Sequence, residues 1–222
     1  MTRPTEMIRR PRRRATPMAG TALAALTLIL AGCASPPSSF YTLTDALGTA
    51  SSGGVAATGA NAPATPYAIE VSPVAVPEQV DRPQIVVTRG GGRVDILEES
   101  RWAAPLKNEL TSTISRELTQ RLGAMDVYGL PRADGLSVYR VSTSVQRFES
   151  VPGEQASLTA VWSVRRVPGD IVLTCRFAGT EPASGGIAEV VAAQRKLADR
   201  LANGIANAIA TNAQGTTPRC QG

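Results

Sequence analysis

An apolar run that stops at a cysteine divides this chain and limits what is left to fold. Arg3, Arg9, Arg10, Arg12, Arg13 and Arg14 make a basic start, and Met18 to Leu30 follow as an almost wholly apolar stretch. That stretch falls short of the roughly 20 residues a membrane-spanning helix needs, and its layout is that of a secretory leader. Residues 1–32 are therefore read as a signal peptide. Of the 222 residues, 190 lie beyond it, enough for one domain with a real core. The leader holds six of the 23 basic residues and one of the 18 acidic ones, which leaves 17 of each. The remainder is formally neutral, so the electrostatic footprint of a nucleic-acid binder is missing and no nucleic-acid partner is expected.

The apolar run closes on Leu30-Ala31-Gly32-Cys33, a pattern that resembles the bacterial lipobox. In that motif small side chains let the processing peptidase reach the bond it cuts, and the thiol carries a diacylglyceryl group. The freed amine is commonly acylated too, with a fatty acid such as palmitate. Each buried methylene contributes about 0.8 kcal/mol, so one chain holds weakly and two or three hold essentially permanently. Cys33 is the expected lipidation site, and a protein tethered to a membrane without spanning it is the expected product. Ala34 follows it, where an Asp would resemble the inner-membrane retention signal of enteric bacteria. The expected location is the periplasmic face of the outer membrane.

The chain contains no His. That excludes Ser-His-Asp triads, imidazole acid–base work and most zinc sites, so no catalytic residue, metal or non-covalent cofactor is expected. Cys175 shares an alternate face with Ile171, Leu173 and Phe177, which suits a buried free thiol. Cys220 lies in a polar tail, and a Cys175–Cys220 disulfide remains open in an oxidising compartment.

Residues 33–39 read as a polar spacer, 40–212 as the domain, 46–66 as a flexible Ala/Gly/Ser/Thr loop inside it, and 213–222 as a disordered tail. Phe40-Tyr41-Thr42-Leu43 suits a strand, and Ala68 to Val76 a second, demoted at its far end by Pro73 and Pro77. Strands on either side of Gly90-Gly91-Gly92 make a hairpin; no Lys-Ser/Thr follows the glycines, so a turn is favoured over phosphate binding. Trp102, Leu106, Leu110, Ile114 and Leu118 repeat at i+4, predicting a helix from about Ala103 or Ala104 to Gly123. Three alternating runs, around Tyr139–Val145, Leu158–Val164 and Ile171–Phe177, predict strands, the last two joined by Val167-Pro168-Gly169-Asp170. A long amphipathic helix is expected from Gly186 to about Thr211. The sum is an α/β chain of the α+β kind: one domain, a mixed, mostly antiparallel sheet, and two long helices packed on it.

Phe40-Tyr41-Thr42-Leu43 after the lipobox, Pro73-Val74-Ala75-Val76-Pro77-Glu78, Val80-Asp81-Arg82-Pro83-Gln84-Ile85-Val86 and Arg101-Trp102-Ala103-Ala104-Pro105-Leu106 together resemble the PqiC/YmbA-type lipoproteins, auxiliary components of ABC-type transport systems. Ala104 stands where that family usually has Glu, and the 46–66 loop is longer than usual. The resemblance implies a non-catalytic lipoprotein that works with an MCE-domain protein and inner-membrane transporter components in moving phospholipids across the periplasm, with a ring of copies as an expected assembly. Arg82, Arg101 and Trp102 are the candidate partner-interface residues, set against structural roles for each. Two other readings stay open: a pilotin or assembly lipoprotein for another outer-membrane machine, and a His-free hydrolase built on carboxylates such as Glu98 and Glu99.

Overall fold

The computed structural model describes residues 37–44 and 67–220. The leader, Cys33 and the 46–66 loop lie outside the described residues. Ser38–Gly222 form one compact unit. Its elements are β1 (Ser39–Tyr41), β2 (Tyr67–Val71), β3 (Gln84–Thr88), β4 (Val94–Trp102), α1 (Leu106–Leu122), β5 (Ser137–Val151), β6 (Gln155–Val167), β7 (Ile171–Pro182) and α2 (Ile187–Ala213). Two helices and mixed, mainly antiparallel strands agree with the α+β expectation. The strands divide into two sheets rather than one, β1-β4-β3 and β2-β5-β6-β7.

In the larger sheet β2 runs parallel to β5, and β5, β6 and β7 form an antiparallel meander. Its strands outrun the predicted ones, because alternation continues on both sides of a bulge between Val145 and Arg147. β2 is shorter than expected. Pro73 removes a ladder donor, and beyond Val71 the chain keeps only single contacts with β5, such as Ala75 N–H to the Thr143 carbonyl at 3.1 Å.

α2 lies over β5, β6 and β7, and α1 packs chiefly on α2. The stripes meet as predicted: Leu106, Leu110, Ile114 and Leu118 of α1 and Leu197, Leu201, Ile205 and Ile209 of α2 are fully buried. α1 starts at Leu106, two or three residues later than expected, because β4 extends through Trp102 and Pro105 holds the cap position. It stops at Gly123, whose φ of 63° is the left-handed conformation that ends a helix without a Cβ penalty. Gly179 on β7 marks the tightest approach to α2: a Cβ there would lie 2.8 Å from Leu197 Cδ2 and 2.6 Å from an Arg200 guanidinium nitrogen.

Tyr67 and Tyr139 meet edge to face with ring centroids 5.1 Å apart, and the Tyr139 hydroxyl donates to Asn212 Oδ1 of α2 at 2.9 Å. Burial pushes both phenols above their ordinary pKa of 10.0; the neighbouring Tyr139 phenol adds to the rise at Tyr67, and Arg166 partly opposes the shift at Tyr139.

The cysteine question is settled by a disulfide between Cys175 and Cys220, with Cα atoms 5.6 Å apart. Cys175 is thus not a free thiol. The same bond corrects the expected disorder of the tail as far as Cys220. Residues 214–220 turn back toward β7, with Thr216 N–H bonded to the Thr211 carbonyl at 3.1 Å and Pro218 buried.

Candidate docking site

The smaller sheet carries most of the residues singled out from the sequence. β1 pairs in parallel with β4, placing Ser39 beside Ser100, Phe40 beside Arg101 and Tyr41 beside Trp102. On the other side of β4, Gln84 opposes Arg101, and an irregularity of three residues separates that pair from the regular β3–β4 register that starts at Ile85 and Leu97. The extra residues are Glu98, Glu99 and Ser100. They let Leu97 and Trp102 both turn inward although an odd number of positions separates them.

Arg82, Arg101 and Trp102 come together at this corner. Trp102 N–H donates to the Pro83 carbonyl at 2.8 Å, directly after Arg82. Trp102 is only 5% exposed and its ring stands edge on to Phe148 at 6.1 Å, so it is a core anchor rather than a presented surface. Arg101 remains at the surface, its Nε donating to the Glu98 carbonyl at 2.8 Å. Arg82 is half-buried, and its Nε has no hydrogen-bond partner among the described residues. Phe40, beside Arg101, is 67% exposed.

Glu98 and Glu99 do not make a carboxylate pair. Glu98 accepts from Gln84 Nε2 at 3.1 Å toward β3, whereas Glu99 accepts from Ser38 Oγ at 2.9 Å toward β1. Neighbours along an extended chain point apart, as the two partners show. Among the described residues no three Cys, Asp or Glu side chains are grouped so as to hold a metal ion.

Two functional residues escaped the sequence reading. Glu109, in the first turn of α1, is buried and accepts three hydrogen bonds: Thr42 Oγ1 at 2.7 Å, Leu43 N–H at 2.9 Å and Ala104 N–H at 3.1 Å. From α2, Arg195 donates to the carbonyls of Leu43 and Thr42, both at 3.2 Å. A carboxylate from one helix and a guanidinium from the other thus grip the same two residues, and Leu43 itself is fully buried. Charge-assisted bonds of this kind are about twice as strong as neutral ones. The available signal was Glu109 lying between Leu106, Leu110 and Thr113 on the apolar stripe of α1, where a carboxylate needs donors. Nothing comparable marks Arg195, since Arg on a helix flank is ordinarily solvated.

The site therefore holds the segment just after β1 in a fixed position and leaves Phe40, on the edge strand β1, exposed beside Arg101 of the central strand β4. Among the described residues, no helix is long and apolar enough to cross a membrane.

No curated protein matches the sequence. Solved structures do match the fold. An uncharacterized protein shares 18% identity, with 78% of this chain and 99% of that one covered and a TM-score of 0.59. Protein XCC0632 from Xanthomonas campestris shares 19% identity, with 67% and 87% covered and a TM-score of 0.53. The sequence model of one family covers residues 41–206, which include the gripped Thr42 and Leu43, the whole stripe of α1, that of α2 as far as Ile205, and all of β2 to β7. That family is described as the ABC-type transport auxiliary lipoprotein component, and this chain belongs to it.

Proposed function

We propose that the protein is a non-catalytic lipoprotein, acylated on Cys33 and held at the periplasmic face of the outer membrane, that docks an MCE-domain protein of an ABC-type system trafficking phospholipids between the membranes. The observation that carries this reading is the two-helix grip on Thr42 and Leu43. It fixes the folded domain to the segment just downstream of the lipobox, which is what a tethered docking piece requires. Family membership supports the transport role, and Ala34 after Cys33 supports the outer membrane. Tethering raises the local concentration of the domain, so modest contact surfaces such as the Arg101 and Phe40 edge suffice for docking. A ring of copies is the assembly proposed for it.

The test is co-purification of the detergent-solubilised full chain from envelope membranes, with mass spectrometry of the amino-terminal peptide. The expected result is an acylated Cys33 and an MCE-domain partner that is lost when Arg101 is changed to Glu. An unmodified thiol, or an acylated protein that elutes as a monomer with no envelope partner, overturns it.

A further inference from the structure

The direction of β1 indicates which end of the domain faces the membrane. Ser39 lies beside Ser100 in a parallel ladder, and Ser38 reaches Glu99. The chain therefore enters the smaller sheet from the side of the β3–β4 turn, not from the side of α1. Cys33 is six residues upstream of Ser39, which at about 3.3–3.6 Å per residue limits its distance to roughly 20 Å.

The turn at that end has an unusual surface. Gly90, Gly91 and Gly92 all have positive φ, at 78°, 59° and 77°, so the tip is narrow and carries no side chain. Beyond it Val94 is 54% exposed and Ile96 43% exposed. Opposite residues in an antiparallel pair share a face. Val94 opposes Thr88 and Ile96 opposes Val86, while Ile85 and Val87 turn to the core. A hollow of about 210 Å³ opens beside the same face, with Val80, Val86, Val94 and Phe148 as its apolar lining and Gln79, Thr88 and Glu149 as its polar one. Arg89 and Arg93 flank the tip and share one carboxylate, Asp95, at 2.8 and 3.8 Å, so the tip keeps a net positive charge. Arg89 and Arg93 share the Asp95 face of the hairpin, opposite Val94 and Ile96, so a tip that meets the leaflet edge on sets aliphatic side chains on one face at the acyl boundary and guanidinium ends on the other within reach of the phosphates.

We infer that the β3–β4 hairpin tip, with Val94, Ile96, Arg89 and Arg93, rests on the phospholipid leaflet that holds the anchor. The inference rests on acylation of Cys33. The hairpin then acts as a second, reversible contact that sets the orientation of the domain, leaving the opposite end of the unit toward the periplasm.

The test uses the full-length lipoprotein with Ile96→Cys, or Ala178→Cys on β7 as the control. Each variant is labelled with an environment-sensitive dye and reconstituted in vesicles of phosphatidylethanolamine, phosphatidylglycerol and doxyl-labelled phosphatidylcholine. The native disulfide and the acylated Cys33 leave the introduced thiol as the one to label. The expected result is a blue shift and loss of emission at position 96 and neither at 178. Equal emission at both positions, with Cys33 shown by mass spectrometry to be acylated, overturns the leaflet contact alone. Protection of position 96 from both doxyl lipid and aqueous iodide also overturns it, because protein then covers the face. An unacylated Cys33 with no vesicle binding overturns the anchor reading itself.

Discussion

At the scale of single residues, the hold on the segment that follows β1 depends on one buried carboxylate. Replacing Glu109 with Ala leaves the Thr42 hydroxyl and the Leu43 and Ala104 amides without their acceptor. Each unsatisfied buried donor costs about 1–3 kcal/mol, although water reaches part of this corner. The expected destabilisation is about 2–4 kcal/mol, measured by urea unfolding, and a change below about 0.5 kcal/mol would show that the grip is dispensable. Tyr67 and Tyr139 give a pH dependence. Their folded pKa values lie above the unfolded value of 10.0, so their contribution is fully present below pH 10 and is lost as pH rises through the folded values. Stability should therefore fall on the alkaline side of pH 10, and less steeply in the Tyr67→Phe variant. Of the two tyrosines only Tyr139 falls in a run that the sequence predicts as a strand. Glu109 and Arg195 act through partners that are 66 and 152 positions distant along the chain, and no local pattern specifies such pairs.

Among the elements, those with strong periodicity were legible and those set by long-range geometry were not. Both helix stripes and the glycine hairpin follow from spacing alone. The division into two sheets does not, because it depends on how β4 is shared between β1 and β3 once Glu98, Glu99 and Ser100 break the register. The sequence does not specify the Cys175–Cys220 bond for the same reason: pairing needs proximity of the tail to β7, which sequence spacing does not fix. Cys220→Ser should lower stability by about 2–4 kcal/mol, since the bond closes 45 residues of separation in the unfolded chain. Hydrogen exchange should show residues 214–219 losing protection while α1 keeps its own. Gly179→Val should cost about 1–3 kcal/mol by crowding Leu197 and Arg200, read as a lower Tm; an unchanged Tm would mean that α2 shifts freely on β7.

For the whole molecule, charge and composition argue against a nucleic-acid partner before any motif is read. A neutral domain without His leaves few catalytic routes, and the carboxylates that a hydrolase would have needed turn toward different strands. The three candidate interface residues divide once the fold is known: Trp102 belongs to the interior, while Arg101 stays outside beside Phe40. The parallel alignment of β1 with β4 also has a mechanical result. A pull along the β1 axis from its amino-terminal end loads the three ladder positions and the cleat formed by Glu109 and Arg195 together, in shear.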